Sequence, residues 1–212
     1  MPKLVDHDQR RAELARAVWA VISRDGIEGA TVRKVADEAG VSIGGLRHYF
    51  DSQRGLLRFA AEAVATNAGA RLTEHLCNEQ PGMRRAQLLL EELLPLDDER
   101  RVEVDVWSAC LMRARVDRSL DGLRKAAWEG ERHACRIAVA DCCAVPPPAA
   151  IGDELPRARL EQRARHLHIF VDGLTLQAAT YPRELPAAEV RRMLRAELEL
   201  VSGSAQAKSR KG

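Results

Sequence analysis

The sequence has few aromatic residues: three tryptophans, two tyrosines and three phenylalanines make up 4% of its 212 residues. No stretch alternates polar with apolar residues as a half-buried strand does. Alanine, leucine, arginine and glutamate dominate instead, so the pattern predicts an all-α protein of about nine helices. No apolar run approaches the roughly 18 residues that a bilayer crossing needs. The start, MPKLVDHDQRR, lacks the apolar core of a signal peptide. Five cysteines, an odd number with no CxxC spacing, do not read as a disulfide framework and fit a reducing compartment. HExxH, P-loop and G-x-S-x-G patterns are absent, as is any repeat of 20 to 50 residues. These absences predict a soluble cytoplasmic protein that is not an enzyme, with no cofactor, no metal site and no membrane contact. A charge of one sign is missing too. The net charge is +2; residues 1–60 carry ten Lys/Arg against eight Asp/Glu, and the remainder 23 of each. Bulk charge therefore does not identify a nucleic-acid binder.

One stretch makes a specific statement: TVRKVADEAGVSIGGLRHYF, residues 31–50. Val32, Val35 and Ala36 form an apolar helical face that ends at Ala39. Gly40 supplies the left-handed residue of a sharp turn, and Ser42 caps a second short helix. Two short helices joined this way form a helix-turn-helix, whose second helix enters a DNA major groove. A helix over Asp8–Asp25 precedes it. Leu14, Ala17, Val18, Val21 and Ile22 line one face, and Asp25-Gly26 ends it.

The helix starts suggest where phosphates bind. Thr31, Ser42 and Ser52 are N-caps, and none is followed by an acid within the first turn. Arg33 and Lys34 follow the first cap, Gln53 and Arg54 the third. Amides and hydroxyls there are expected to be available to phosphate oxygens. The second short helix, expected over Ser42–Tyr49, begins Ile43-Gly44-Gly45. Each glycine costs a helix about 1 kcal/mol relative to alanine. The pair either lets the backbone approach a base edge or sugar, or packs closely against the first short helix. Arg47 can read guanine or grip a phosphate. His48 and Tyr49 are candidate phosphate or sugar contacts, with half-buried packing as the alternative for Tyr49. Phe50 belongs to the core.

A long fourth helix is expected from Asp51-Ser52 towards Glu79, with Asn67-Ala68-Gly69 as a soft point. Further helices are expected over Met83–Leu94, Asp97 to about Val116, Ser119–Ala144, Arg157–Thr180 and Ala187–Val201. The proline-rich segment Val145–Pro156 reads as a loop. The polar, basic residues 204–212 are expected to be disordered.

The run TVRKVADEAGVSIGGLRHYFDSQRGLL resembles the DNA-binding domain of the TetR family of transcriptional regulators. The resemblance rests on Thr31, Ala36, Ala39-Gly40-Val41-Ser42, Tyr49-Phe50 and Leu56-Leu57. It covers about Asp8 to Ala65 and departs at Gln53, where the family commonly has lysine; that phosphate contact is then weaker or passes to Arg54. The wording GGLRHYF and the segment His168–Leu185 look most like the branch that includes choline-responsive repressors.

This resemblance implies a DNA-binding domain over residues 8–65 and a helical effector-binding and dimerisation domain over 66–203. It implies a homodimer formed through the last two long helices on double-stranded DNA with a palindromic operator, released by a small-molecule effector. The apolar stripes Leu160–Ala178 and Val190–Val201 are candidate dimer surfaces, with core packing as the alternative. The competing reading is a helical small-molecule-binding or interaction protein with a degenerate helix-turn-helix.

Candidate effector contacts are Trp107 and Cys110 on one helix, Trp128 and Cys135 on the next, and His166 and Phe170 on the long one. Two tryptophans can cage a cation, although tryptophan on a helix face of an all-α domain is more often a core residue. Cys135 and Cys142-Cys143 raise a redox role, against which buried thiols are inert. A metal set of His166, His168 and Asp172 is disfavoured, because i, i+2 and i+6 do not share one helical face.

Overall fold

The computed structural model describes residues 7–50 and 52–209, with side chains described over 9–50 and 52–203. Among the described residues there are nine α-helices and no strand. They are α1 (His7–Gly29), α2 (Val32–Glu38), α3 (Ile43–Leu46), α4 (Gln53–Asn78), α5 (Met83–Glu91), α6 (Asp98–Ala114), α7 (Asp121–Cys143), α8 (Ala158–Thr180) and α9 (Ala187–Ser209). A 3-10 turn, Arg118–Leu120, precedes α7. No helix of the described residues is long and apolar enough to cross a membrane. The chain divides into two compact units, one of residues 1–67 with 105–124, the other of 68–104 with 125–212.

In the first unit, Leu14, Val18, Val21 and Ile22 of α1 are buried with Val35 and Ala36 of α2 and Leu46 of α3. Leu56, Leu57, Ala60 and Ala61 of α4 complete this core. Phe50 is buried as expected, and its ring meets that of Phe59 at a centroid distance of 5.4 Å. The Trp19 indole N–H donates to the Ala60 carbonyl oxygen over 3.2 Å, so its polar atom is satisfied inside the core. α1 breaks at Gly26, whose φ of 73° is left-handed. Gly40, at φ 62°, makes the sharp turn between α2 and α3. Both are places where a side chain would strain the backbone.

In the second unit, the core joins α5, α7, α8 and α9 through residues such as Leu90, Cys135, Leu167, Leu174, Leu194 and Leu198. The stripes offered as dimer surfaces are spent here: Leu160, Ala164, Leu167, Val171, Leu174 and Ala178 are buried, as are Val190, Leu194, Leu198 and Val201. Core packing is the alternative that holds for them. On these helices Ile169, Leu176 and Leu200 are exposed, each by about two thirds.

Buried and half-buried ion pairs tie the helices of this unit together. Arg85 of α5 donates through Nε and Nη2 to Asp141 of α7 over 2.7 and 2.6 Å. Arg136 of α7 grips Glu161 of α8, which also accepts the Leu155 amide. Arg71 and His75 of α4 and Arg100 of α6 converge on Glu92, and Arg71 also reaches Glu103. α4 runs unbroken through the expected soft point at 67–69. α9 continues past the expected end at Val201 to Ser209. The side chains of 204–209 and all of 210–212, where the disordered tail was expected, lie outside the described residues.

Candidate nucleic-acid interface

Each expected N-cap is in place. The Thr31 hydroxyl accepts the Lys34 amide over 3.3 Å, Ser42 that of Gly45 over 3.1 Å, and Ser52 that of Gly55 over 3.1 Å. The hydroxyl oxygens are therefore engaged rather than free. Each hydroxyl nevertheless keeps its own hydrogen to donate. None of the first turns of α2, α3 and α4 contains an acid.

The second short helix is shorter than expected. α3 is a single turn, Ile43–Leu46, and Arg47 to Tyr49 follow as a turn. The amides of Tyr49 and Phe50 both donate to the Leu46 carbonyl, which closes the segment. Two adjacent glycines give the helix little to continue with. Only Leu46 of α3 is buried; it holds the segment to the core while the rest faces outward.

The glycines are not close-packed. A Cβ placed on Gly44 would meet only the Ser42 hydroxyl oxygen, at 3.9 Å, and one on Gly45 the same atom at 3.4 Å. The chain itself thus leaves room for alanine at both positions. Beside α3 lies a cleft of about 730 Å³, lined by Arg10 and Leu14 of α1, the Gly40–Ser42 turn, and Gly45, His48 and Tyr49 among others.

Thr31, Arg33, Lys34, Ser42, Ile43, Gly44, Gly45, Arg47, His48, Ser52, Gln53 and Arg54 are all exposed, and Tyr49 is half-buried. Their electrostatic state differs. Lys34 Nζ pairs with Asp25 at 2.9 Å and Arg54 Nε with Asp117 at 3.2 Å. Of these candidate residues, Arg33 and Arg47 have no ion pair among the described residues, so their guanidinium groups are presented without an acid. The face offers hydroxyls, bare backbone and unpaired arginine on one segment, which suits phosphate and base-edge contact.

The candidate effector residues separate. Trp107 and Cys110 fall in the first unit; Trp128, Cys135, His166 and Phe170 fall in the second. Cys110 is fully buried with its thiol directed at the Leu57 carbonyl, and burial pushes it up to about 12. Cys135 is a core residue whose thiol burial likewise holds protonated. Phe170 is half-buried and His166 exposed, whereas Trp128 is 55% exposed. Around Trp128 the structure gathers His168 and Asp172 with Arg132 and Glu131, two residues that the sequence pattern does not single out. Arg132 lies over the Trp128 ring at 4.9 Å and donates through Nε to Nδ1 of buried His168 at 3.0 Å. Glu131 and Asp172 face the other nitrogen of that imidazole. His168 and Asp172, four apart, share a helical face; Glu131 is brought in only by the packing of α7 on α8.

Comparison with known proteins gives matches at both ends of the chain. Residues 14–60 match the profile of the bacterial regulatory proteins of the tetR family, and residues 82–202 that of the BetI-type transcriptional repressor C-terminal domain. The HTH-type transcriptional regulator PksA of Bacillus subtilis is 33% identical over 207 residues, 95% of this chain and 94% of that one. The HTH-type transcriptional regulator BetI of Vibrio vulnificus is 30% identical over 128 residues, 59% of this chain and 64% of the relative. Among solved structures, a transcriptional regulator from Rhodococcus sp. Rha1 superposes with a TM-score of 0.75 at 29% identity, covering 92% of this chain and 96% of that one. A transcriptional regulator from Saccharomonospora viridis in complex with choline shares the fold, with a TM-score of 0.65 at 20% identity over 91% of this chain and 96% of that one.

Proposed function

Because this chain belongs to the TetR family of bacterial regulatory proteins, with a C-terminal domain of the BetI type, we propose that it is a repressor that binds a palindromic operator as a homodimer. A small molecule bound by the second unit releases it. The observation that carries the reading is the α2–α3–α4 face: three capped helix starts without acids, two exposed glycines at which a Cβ would meet only the Ser42 hydroxyl oxygen, and Arg33 and Arg47 free of acidic partners among the described residues.

Arg47 contacts a base edge or a phosphate, while Thr31, Ser42 and Ser52 donate their hydroxyl hydrogens to phosphates. Arg54 is the weaker candidate, since a phosphate would have to draw it from Asp117. A palindrome requires two copies related by a two-fold axis. Exposed Ile169, Leu176 and Leu200 on α8 and α9 are the apolar surface left for that pairing after the core is filled. The effector is taken on the side of α7 that bears Trp128, a half-exposed aromatic side chain of the second unit. Its binding favours a dimer whose recognition segments no longer match successive major grooves.

The test is fluorescence anisotropy on the intergenic DNA upstream of the gene. Arg47→Ala is expected to weaken binding roughly 5- to 150-fold while the helical circular dichroism signal stays constant. Unchanged affinity would remove Arg47 from the interface, and equal affinity for unrelated DNA would favour a degenerate helix-turn-helix.

A further inference from the structure

His168 and Asp172 stand four residues apart on α8 and share one face of it. Glu131 meets them from α7. His168 Nε2 lies 3.3 Å from Glu131 Oε2 and 3.5 Å from Asp172 Oδ1. One donor atom from each of the three side chains lies within 4.8 Å of the other two. Ligand atoms held at about 2.1 Å around a tetrahedral zinc ion are separated by about 3.4 Å. Two edges of the required triangle already have that length, and the third closes by rotation of a carboxylate.

The surroundings suit a dication. Two carboxylates converge on one imidazole, a like-charge arrangement that a positive ion relieves. The His168 side chain is only 2% exposed and is fixed by its neighbours, whereas Asp172 is 55% exposed and gives a route in from solvent. We propose that Glu131, His168 and Asp172 form a binding site for a divalent transition-metal ion of the zinc class. Three protein ligands leave a fourth coordination position to water or to an exogenous ligand.

Arg132 makes the site conditional. It donates through Nε to His168 Nδ1. A neutral imidazole that accepts at Nδ1 carries its proton on Nε2, where the metal would bind. Metal ligation needs the opposite tautomer, with Nδ1–H donating to an acceptor. Ion and Arg132 therefore make exclusive claims on the ring: as the ion enters, the ring proton passes to Nδ1 by way of solvent and the guanidinium turns away. Its contact with the Trp128 face gives it somewhere to rest. His166, which helical spacing disfavours as a partner of His168 and Asp172, is exposed, and Glu131 of α7 stands in its place. The site stands whether or not a small molecule releases the protein from DNA.

The test uses the full chain carrying Cys77→Ser, which removes the exposed thiol, after exhaustive dialysis. Zinc binding is followed by calorimetry and cobalt by visible absorption. One ion per chain is expected, with at least about tenfold weaker binding for Glu131→Gln and for Asp172→Asn. Arg132→Gln, whose side-chain oxygen accepts from Nδ1–H, is expected to bind more tightly than the parent by about tenfold. Circular dichroism of each variant separates a lost ligand from a lost fold. Absence of saturable binding, unchanged affinity in the two carboxylate variants, or weaker binding by Arg132→Gln would overturn the proposal.

Discussion

Replacing Gly44 and Gly45 together by alanine should make the protein more stable and a poorer DNA binder. Neither glycine has a positive φ. The nearest atom to either added Cβ is the Ser42 hydroxyl oxygen, at 3.9 and 3.4 Å, so alanine enters without displacing backbone. At a compatible position, Gly→Ala removes freedom from the unfolded chain and contributes about 0.4–1 kcal/mol. Helix propensity points the same way. The pair should therefore add about 1–2 kcal/mol, a rise in Tm of roughly 2–8 °C for a chain of this size. If the bare backbone exists so that DNA can come close, two methyl groups on the exposed side of α3 push it away. A loss of affinity of at least about tenfold, or 1.4 kcal/mol, is then expected. Thermal circular dichroism and operator anisotropy on the same sample read both quantities. Higher Tm with unchanged or tighter binding would refute the reasoning about the glycines. A lower Tm would contradict the loose packing around Gly44 and Gly45.

Other perturbations separate the interface from the scaffold. Gln53→Lys restores a cation at the exposed start of α4; it should tighten operator binding and steepen the salt dependence by about one further counterion, read from log affinity against log salt. Asp141→Ala leaves the Arg85 guanidinium buried without its partner; side-chain exposures of 8% and 1% allow little rescue by water, so a cost of about 3–5 kcal/mol is expected in urea unfolding. The double change Arg85→Met with Asp141→Leu should recover most of it. Burial alone would raise the Glu92 carboxyl, but hydrogen bonds from Arg100, His75 and Arg71 outweigh that and hold it at about 2. Its ordinary value is 4.5. The stabilisation is present above that value and fades as pH falls from there towards 2, on the order of 3 kcal/mol in all. A Glu92→Gln variant should show a flatter loss of stability over that window.

The sequence discloses most readily what is local. Caps, turn glycines and proline breaks act within a few residues, so Thr31, Gly40, Ser42 and the 145–156 loop are legible in the sequence itself. The length of α3 was less so, because a glycine pair lowers propensity without stating where a helix stops. Gly26 shows the converse, a break that two residues, Asp25-Gly26, announce. Residues 67–69 were misread as soft: a glycine weakens an isolated helix, but Arg71 and His75 just beyond it are anchored on Glu92.

The stripes on α8 and α9 illustrate a deeper limit. Apolar residues at helical period face a core and a dimer partner in the same way, and only the packing shows that Leu167 or Leu194 is already used. Ile169, Leu176 and Leu200 carry no pattern that would have singled them out. The cluster around His168 was half visible: His168 and Asp172 share a face by spacing, whereas Glu131 and Arg132 join them through contacts 37 and 36 residues apart in the chain. Spacing within one helix has nothing to say about such partners.

The central claim is that the α2–α3–α4 face reads a specific DNA sequence. Anisotropy titrations of the full chain, at physiological salt, against the upstream intergenic DNA and against a shuffled duplex of equal length test it most directly. The expected result is tighter binding to the intergenic DNA by about 10³-fold or more, with two chains per site. Equal affinity for both duplexes, falling together as salt rises, would contradict it.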